Sequence, residues 1–502
     1  MGPLTLTILL PLAGALALVV APPRSARTVK LVGLVASLAA FGASLVLLAR
    51  FDRADAGLQL AESVTWIPAI GAELSVAVDG VALVLVLLTT FLTPLILLAS
   101  WDTIEDRVVG YVSAFLVLET LVLGVFAATD LLLFYLLFEV SLVPMYLIIG
   151  IWGGAERRRA AVKFFLYTLA GGLAMLVAIL YLRVQAGSFA YEAMRAVELS
   201  ATEQGWLFAA FVLAFAVKVP LFPVHTWLPD AHTEAPTGGS VFLAGVLLKM
   251  GTFGLLRYAL PLFPAAAVEA APVLLGLAVV GILYGAIVAL MQRDIMRLIA
   301  YSSVSHMGFV VLGTFALDPT ATSAAVVQMV NHGLSTGALF LLIGFLYERR
   351  HTRAIADFGG LARQVPVMAG LWLVVAMSSL ALPGLNGFVG EFPILLGTYA
   401  AAPTAAVLAA FGAVLAALYL LWSYQRIFHG PLEGEANRTT TDLTRREVGI
   451  LVPLVALIVV IGVQPRPLYD LVQPSVDRVL AEVRDGAVIP IEPAGTVPGA
   501  EG

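Results

Sequence analysis

AFAVKVPLFPVHTWLPDAHTEAPTGGSVFLAGVLLKMGTFGLLR, residues Ala214–Arg257, joins two apolar runs that each hold a lysine, Lys218 and Lys249. An ionised side chain at the centre of a bilayer costs roughly 2.5–3.5 kcal/mol on insertion scales, so an apolar helix that keeps one must turn it toward protein or water. Lys218 stands two residues before Pro220, with Pro223 and Pro229 following. Proline lacks the N–H that closes a helical turn, so it frees a carbonyl and lets the helix open. Lys249 lies between Gly245 and Gly251, which permit close helix approach. The pattern is that of a membrane protein with a polar interior.

The composition agrees with this reading. The 502 residues are 60% apolar and 12% charged, where soluble domains average about 25% charged. Mean hydropathy is +0.98. Fourteen segments are apolar enough to span, near 3–20, 29–49, 79–100, 111–128, 130–152, 162–184, 207–228, 236–260, 272–291, 294–317, 322–347, 366–400, 404–428 and 447–465. The expected fold is an all-α polytopic membrane protein of about 14 transmembrane helices. Spans seven and twelve are broken, the first by its prolines and the second by Pro383, Gly384, Gly387, Gly390 and Pro393. No basic region precedes Leu4–Val20, so the first segment is expected to stay as a span rather than to be cleaved. The tail from Arg466 to Gly502 is rich in Pro, Gly and acid, and is expected to be partly disordered or packed on the outer surface.

Positive charge orients the spans. Loops joining odd-numbered spans to the next carry 18 of the 28 Lys and Arg, the even ones carry 5 and the tail 3. Positively charged loops stay in the cytoplasm, which places both termini on the opposite, periplasmic side of a bacterial plasma membrane. The two cations left over are Lys218 and Lys249.

The sequence also repeats itself faintly. Asp130-Leu131 and Val140-Ser141 recur as Asp294-Ile295 and Val304-Ser305 at an offset of 164; VKFFLYTLAGGLAM (Val162–Met175) aligns with VQMVNHGLSTGALF (Val327–Phe340) at 165, and Pro220 with Pro383 at 163. Units of five spans each, an odd number, must be inverted relative to one another in the membrane. Paired broken helices in inverted repeats are a usual architecture for ion-translocating proteins. The expected divisions are 1–110 for helices 1–3, 111–260 for the first repeat, 272–428 for the second, and 447–502 for helix 14 and the tail.

The ionisable groups inside spans are the candidate site: Glu119, Glu139, Lys218, Lys249, His306, His332 and Glu391. Burial and a neighbouring carboxylate pull the proton affinity of a lysine in opposite directions. Glu139, mid-span in FYLLFEVSLVP, is the natural partner of Lys218; a static ion pair locking two helices is the plainer alternative. Lys249 could be a lysine snorkelling from a helix end, but it sits near mid-span. His306 (SSVSHMGF) and His332 (VNHGLSTG) carry imidazoles, the side chain best suited to exchanging protons, and are surrounded by residues that hold water, although a lone histidine there is more often structural. Glu391 follows the second break in LPGLNGFVGEFPIL, and Glu119 has no such context. His225, Asp230, His232 and Glu234 have a spacing that could suit a metal, but the prolines around them read as a loop mouth.

Cysteine is absent, which excludes disulfides and Cys-ligated iron–sulfur clusters in this chain. No phosphate-binding glycine loop, nucleophile elbow, zinc helix or haem-attachment motif is present.

Ala214–Arg257 resembles the signature of the antiporter-like membrane subunits of energy-converting NADH:quinone oxidoreductase, respiratory complex I. IAYSSVSHMGFVVLG (Ile299–Gly313), NHGLSTGALFL (Asn331–Leu341) and LPGLNGFVGEF (Leu382–Phe392) are similar to that family's later motifs, in the same order. The likeness covers about residues 75–430; the first 75 residues and the tail carry no matching motif. It implies proton translocation driven by electron transfer elsewhere. Glu139 and Lys218 would be the paired coupling residues, Lys249 the central relay, His306 and His332 the polar axis, and Glu391 the group facing the exit. Two of the three such subunits generally carry lysine at the last position, so Glu391 sets this chain with the third. The resemblance also implies FMN, iron–sulfur clusters and quinone in partner subunits, with no cofactor here. Its expected partners are neighbouring antiporter-like subunits and membrane lipid, with no nucleic acid. A multi-subunit Na⁺/H⁺ antiporter or a proton-pumping hydrogenase shares the same pattern, and a stand-alone solute carrier fits it less well.

Overall fold

The computed structural model describes residues 2–487. Among them, twelve helices are long and apolar enough to cross a membrane. The two other expected spans are split. Span seven is the Ala201–Lys218 helix followed by Trp227–Glu234, and span twelve is Pro366–Ser379 followed by Asn386–Ala401. Proline and glycine break the hydrogen-bond ladder at both places.

Burial sorts the helices into centre and periphery. The apolar stretches of Thr237–Leu262 and Pro319–Arg350 are enclosed by the rest of the chain, while Pro3–Val20, Ala26–Arg50, Pro403–Phe428 and Arg445–Val463 leave most of their apolar surface outward, as lipid-facing helices do. The two enclosed helices are those that carry Lys249 and His332. Ionisable groups thus sit where protein, not hydrocarbon, surrounds them.

The repeat seen in the sequence has a counterpart in backbone pairing. Asp130 bridges Ala190, and Asp294 bridges Ala354, both antiparallel and 164 residues apart. The flanking bonds match as well: Leu131 N donates to Phe189 O at 2.9 Å, and Ile295 N to Arg353 O at 3.0 Å. Both aspartates cap the helix they precede, Asp130 through Leu133 N and Asp294 through Met296 N.

Four features depart from the sequence reading. The chain is the expected helical membrane protein with one β-hairpin added, in which Gln59–Ile67 pairs antiparallel with Ala72–Val78. That segment holds Glu62 and Glu73, too polar to span, and its β-branched residues suit a hairpin closed at Gly71, which has φ 66°. The fifth span is two helices, Leu131–Val140 and Leu142–Trp152, divided at Ser141. Arg257, taken as a loop charge, lies inside the eighth span. There it pairs with Asp79 at 2.6 Å, and Asp79 caps Gly80–Ala99 through Ala82 N at 2.8 Å. The first part of the polar tail, Arg466–Ala487, is a helix whose Leu471, Val472, Val476, Val479, Leu480 and Val483 are buried as one stripe. The expectation for 488–502 lies outside the described residues.

Candidate functional site

Lys249 is fully buried. Its helix carries two wide turns, Leu243–Leu247 and Leu255–Ala259, in which bonds run to the fifth residue back. Such turns disturb the regular ladder and recur at functional positions. The Lys249 ammonium donates to the Ala244 carbonyl inside the first wide turn. It also lies 2.7 Å from Nδ1 of His332. Since an ammonium only donates, His332 accepts through Nδ1 when Lys249 is charged, and its proton then sits on Nε2. This contact depends on two glycines: a Cβ on Gly333 would meet the Gly245 carbonyl oxygen at 2.9 Å.

His332 Nε2 makes no hydrogen bond with the protein. It borders a small polar cavity lined by His306, Gln328, Asn331, Ser335 and Ser378, among others. That cavity offers about 10 Å³ to the centre of a water molecule, room for roughly one. The His306 ring centroid is 6.0 Å from that of His332. His306 Nδ1 lies 2.7 Å from Glu391 Oε1, and its Nε2 lies 3.2 Å from the Tyr419 hydroxyl. Gln328 donates to the same Glu391 oxygen at 2.9 Å. Lys249, His332, His306 and Glu391 therefore form one buried axis, with direct contacts at each end and both histidines lining one water-sized cavity.

The floor of the cavity is the second break. Asn331 Nδ2 donates to Asn386 O at 2.7 Å, Ser335 and Ser378 hydroxyls lie 2.7 Å apart, and Ser378 also bonds Asn386 Oδ1. The first of these fills a backbone carbonyl at the break, and the others tie its side chains to one another.

Lys218 ends its helix, buried, with its ammonium 4.9 Å from the Phe138 ring centroid and without a hydrogen-bond partner. Pro220 has no N–H for the Ala216 carbonyl. Leu221 N reaches back to it at 2.7 Å, and the Val217 carbonyl so released accepts Trp227 Nε1 at 2.9 Å. Glu139 is the charged neighbour of Lys218. The two do not close an ion pair, and the Glu139 oxygens have no hydrogen-bond partner. The carboxylate occupies space left by Gly172, where a Cβ would fall 1.7 Å from Glu139 Oε1. The break that carries Lys218 packs on the Lys249 helix at Gly251, whose added Cβ would meet Phe215 O at 2.9 Å. Glu119 is buried, and neither of its oxygens finds a partner.

Sequence reasoning left several members of this site out of the proton axis, His232 among them, which it weighed only as a metal ligand. His232 is buried and stacks on Phe340 at 4.6 Å with both ring nitrogens free. Gln328 stands four residues before His332 on the same helical face, a spacing that could have found it, and Asn331, next to His332, lines the same cavity. Tyr419 comes from a distant helix and left no local signal. The four residues weighed as a metal set diverge instead. Asp230 pairs with Lys163 at 2.7 Å and Arg297 at 3.2 Å, Glu234 accepts from Glu156 N at 2.8 Å, and His225 stacks against Phe222.

A bundle with two broken helices and a buried Lys–His–His–Glu axis defines an antiporter-like membrane domain. The chain belongs to the family described as NADH:quinone oxidoreductase/Mrp antiporter, transmembrane, whose model matches residues 128–416. It is 46% identical over 490 residues to NADH-quinone oxidoreductase subunit M of Rhodobacter capsulatus, covering 94% of this chain and 95% of that one. A chain in the structure of respiratory complex I from Thermus thermophilus with bound NADH superposes with a TM-score of 0.87 at 34% identity, covering 96% of this chain and 99% of that chain. A chain of the Mrp complex from Dietzia sp. DQ12-45-1b shares the fold, with a TM-score of 0.82 at 23% identity, over 96% of this chain and 52% of its own length.

Proposed function

We propose that this chain is the subunit M-type, proton-translocating component of the membrane arm of an NADH:quinone oxidoreductase. In that arm it converts remote electron transfer from NADH to quinone into proton movement. The observation that carries the reading is the buried axis Lys249–His332–His306–Glu391, ending in a carboxylate.

The residues have distinct tasks. Lys218, unpaired and next to the first break, holds a proton whose release depends on Glu139. Lys249 passes a proton to His332 Nδ1 as the Nε2 proton leaves toward the cavity. His306 hands it to Glu391, which releases it on the far side. Glu119, buried without a partner, serves as an accessory group. The helices divide into 1–110, a first repeat at 111–260, an inverted second repeat at 272–428, and a closing segment at 447–502, fourteen spans in all. The chain lies in a bacterial plasma membrane with both termini on the periplasmic side, beside other antiporter-like subunits and lipid. It holds no redox centre, and FMN, iron–sulfur clusters and quinone belong to partner subunits.

The test is NADH-driven proton uptake in membrane vesicles carrying the assembled complex. Lys218→Ala should cut pumping and slow coupled quinone reduction, while the complex still assembles. Full pumping in that variant refutes the assignment. Sodium-dependent proton exchange without NADH would move the chain to the Na⁺/H⁺ antiporter class.

A further inference from the structure

Pro393 stands inside the Asn386–Ala401 helix, two residues after Glu391. Having no N–H, it cannot return the bond that the Val389 carbonyl would receive from four residues on. That oxygen is nevertheless filled: the Tyr469 hydroxyl donates to it at 2.7 Å. Tyr469 comes from the Arg466–Ala487 helix. The residues leading into that helix press on the same break, where a Cβ on Gly462 would fall 2.4 Å from the Gly384 carbonyl oxygen. Its far end is tied to the first half of the chain, through Arg478 to Glu192 at 3.3 Å and Glu482 to Arg195 at 3.6 Å. The first break is completed in the same manner, Trp227 donating to Val217 beside Lys218. In each half, an aromatic donor from beyond the break, Trp227 in the same span and Tyr469 in a separate helix, fills a carbonyl released near a proline, next to the ionisable residue of that half.

We propose that Tyr469 is a positioning residue for Glu391. Its hydroxyl replaces the N–H missing at Pro393 and holds the turn that keeps the Glu391 carboxylate on His306 Nδ1, 2.7 Å away. The amphipathic helix thereby governs the carboxylate end of the axis from outside it. This rests on the proton-pathway reading of Glu391.

The test compares Tyr469→Phe, Pro393→Ala, the double variant and Glu391→Gln, each in the assembled complex in native membranes. NADH-driven proton uptake per complex is followed across the neutral pH range. Tyr469→Phe should lower uptake about 3- to 10-fold, the effect of one lost hydrogen bond, and move the midpoint of the pH profile. Pro393→Ala alone should leave uptake within about twofold of the parent, and the double variant should recover both rate and profile, because position 393 regains its N–H. An inactive Glu391→Gln beside an unaffected Tyr469→Phe overturns the positioning role and leaves the pathway standing. A loss in Tyr469→Phe with an unmoved pH profile and no recovery in the double variant makes Tyr469 a packing residue and also overturns it. Full pumping by Glu391→Gln removes the pathway reading and this inference together.

Discussion

Lys249 and His332 meet at 2.7 Å, Nζ to Nδ1, in the interior of the bundle, on the two helices most fully enclosed by the rest of the chain. No carboxylate shares that contact, so the charge on Lys249 is met by a ring nitrogen and a backbone carbonyl instead. A proton held this way is easily passed on, because neither partner carries a compensating negative charge.

Lys249→Ala should therefore reduce NADH-driven proton uptake by about tenfold or more, the scale on which a positioned proton donor acts. Lys249→Arg should not rescue it, since a guanidinium stays charged throughout and cannot release the proton. Proton uptake at equal amounts of assembled complex decides the matter, and a fully active Arg variant would count against a relay.

Gly333→Ala would push a Cβ to 2.9 Å from the Gly245 carbonyl oxygen and 2.8 Å from Leu88 Cδ2. Overpacking of this kind costs about 1–3 kcal/mol, and here it also separates Lys249 from His332. The expected outcome is a lower unfolding temperature in detergent together with reduced pumping. A change in stability alone would show that the helix spacing does not matter to the relay.

Asp79→Ala strands Arg257, whose partner lies 2.6 Å away with both side chains mostly shielded from solvent. Breaking a buried pair on one side costs about 3–5 kcal/mol. The amount of intact complex recovered from membranes should fall, and Asp79→Ala/Arg257→Met should recover part of it. Equal recovery of the single and parent forms would place the pair among contacts of little consequence.

Glu62 caps the first helix from the hairpin, accepting from Gly2 N at 2.6 Å, Leu4 N at 3.0 Å and Thr5 N at 3.2 Å. Partial burial pushes its carboxyl up, but the bonds from Thr5, Gly2 and Leu4 outweigh this and hold it below the ordinary 4.5. A lowered carboxylate stabilises the fold above its unfolded value and ceases to as pH falls through the folded one. Protection of the Pro3–Val20 amides, measured against their intrinsic exchange rates, should thus fall below about pH 4.5. Glu62→Gln should show the faster exchange already at neutral pH; unchanged exchange in that variant would dismiss the cap.

Much of the site was legible before any coordinates. A lysine or glutamate in an apolar span stands out because hydrocarbon penalises it, and this alone marked Lys218, Lys249, Glu139 and Glu391. Pro220 and the Pro383–Pro393 cluster marked the breaks, because a missing N–H acts wherever the chain is helical. The hairpin at Gln59–Val78 escaped because a polar segment between spans looks the same as a loop. The Arg466–Ala487 helix escaped because its apolar stripe is diluted by charge and never forms a continuous run.

The sequence by itself determined the class of protein, the spans, the breaks and the list of ionisable residues inside them, since each follows from local hydrophobicity and backbone chemistry. Only the tertiary structure decided who meets whom. Lys249 takes His332, 83 residues away, because Gly245 and Gly333 let two backbones close together; Glu391 takes His306, 85 residues away. Lys218 and Glu139, expected as partners, do not close the static ion pair that was the plainer alternative. Such pairings depend on helix spacing and rotation, which local sequence does not encode.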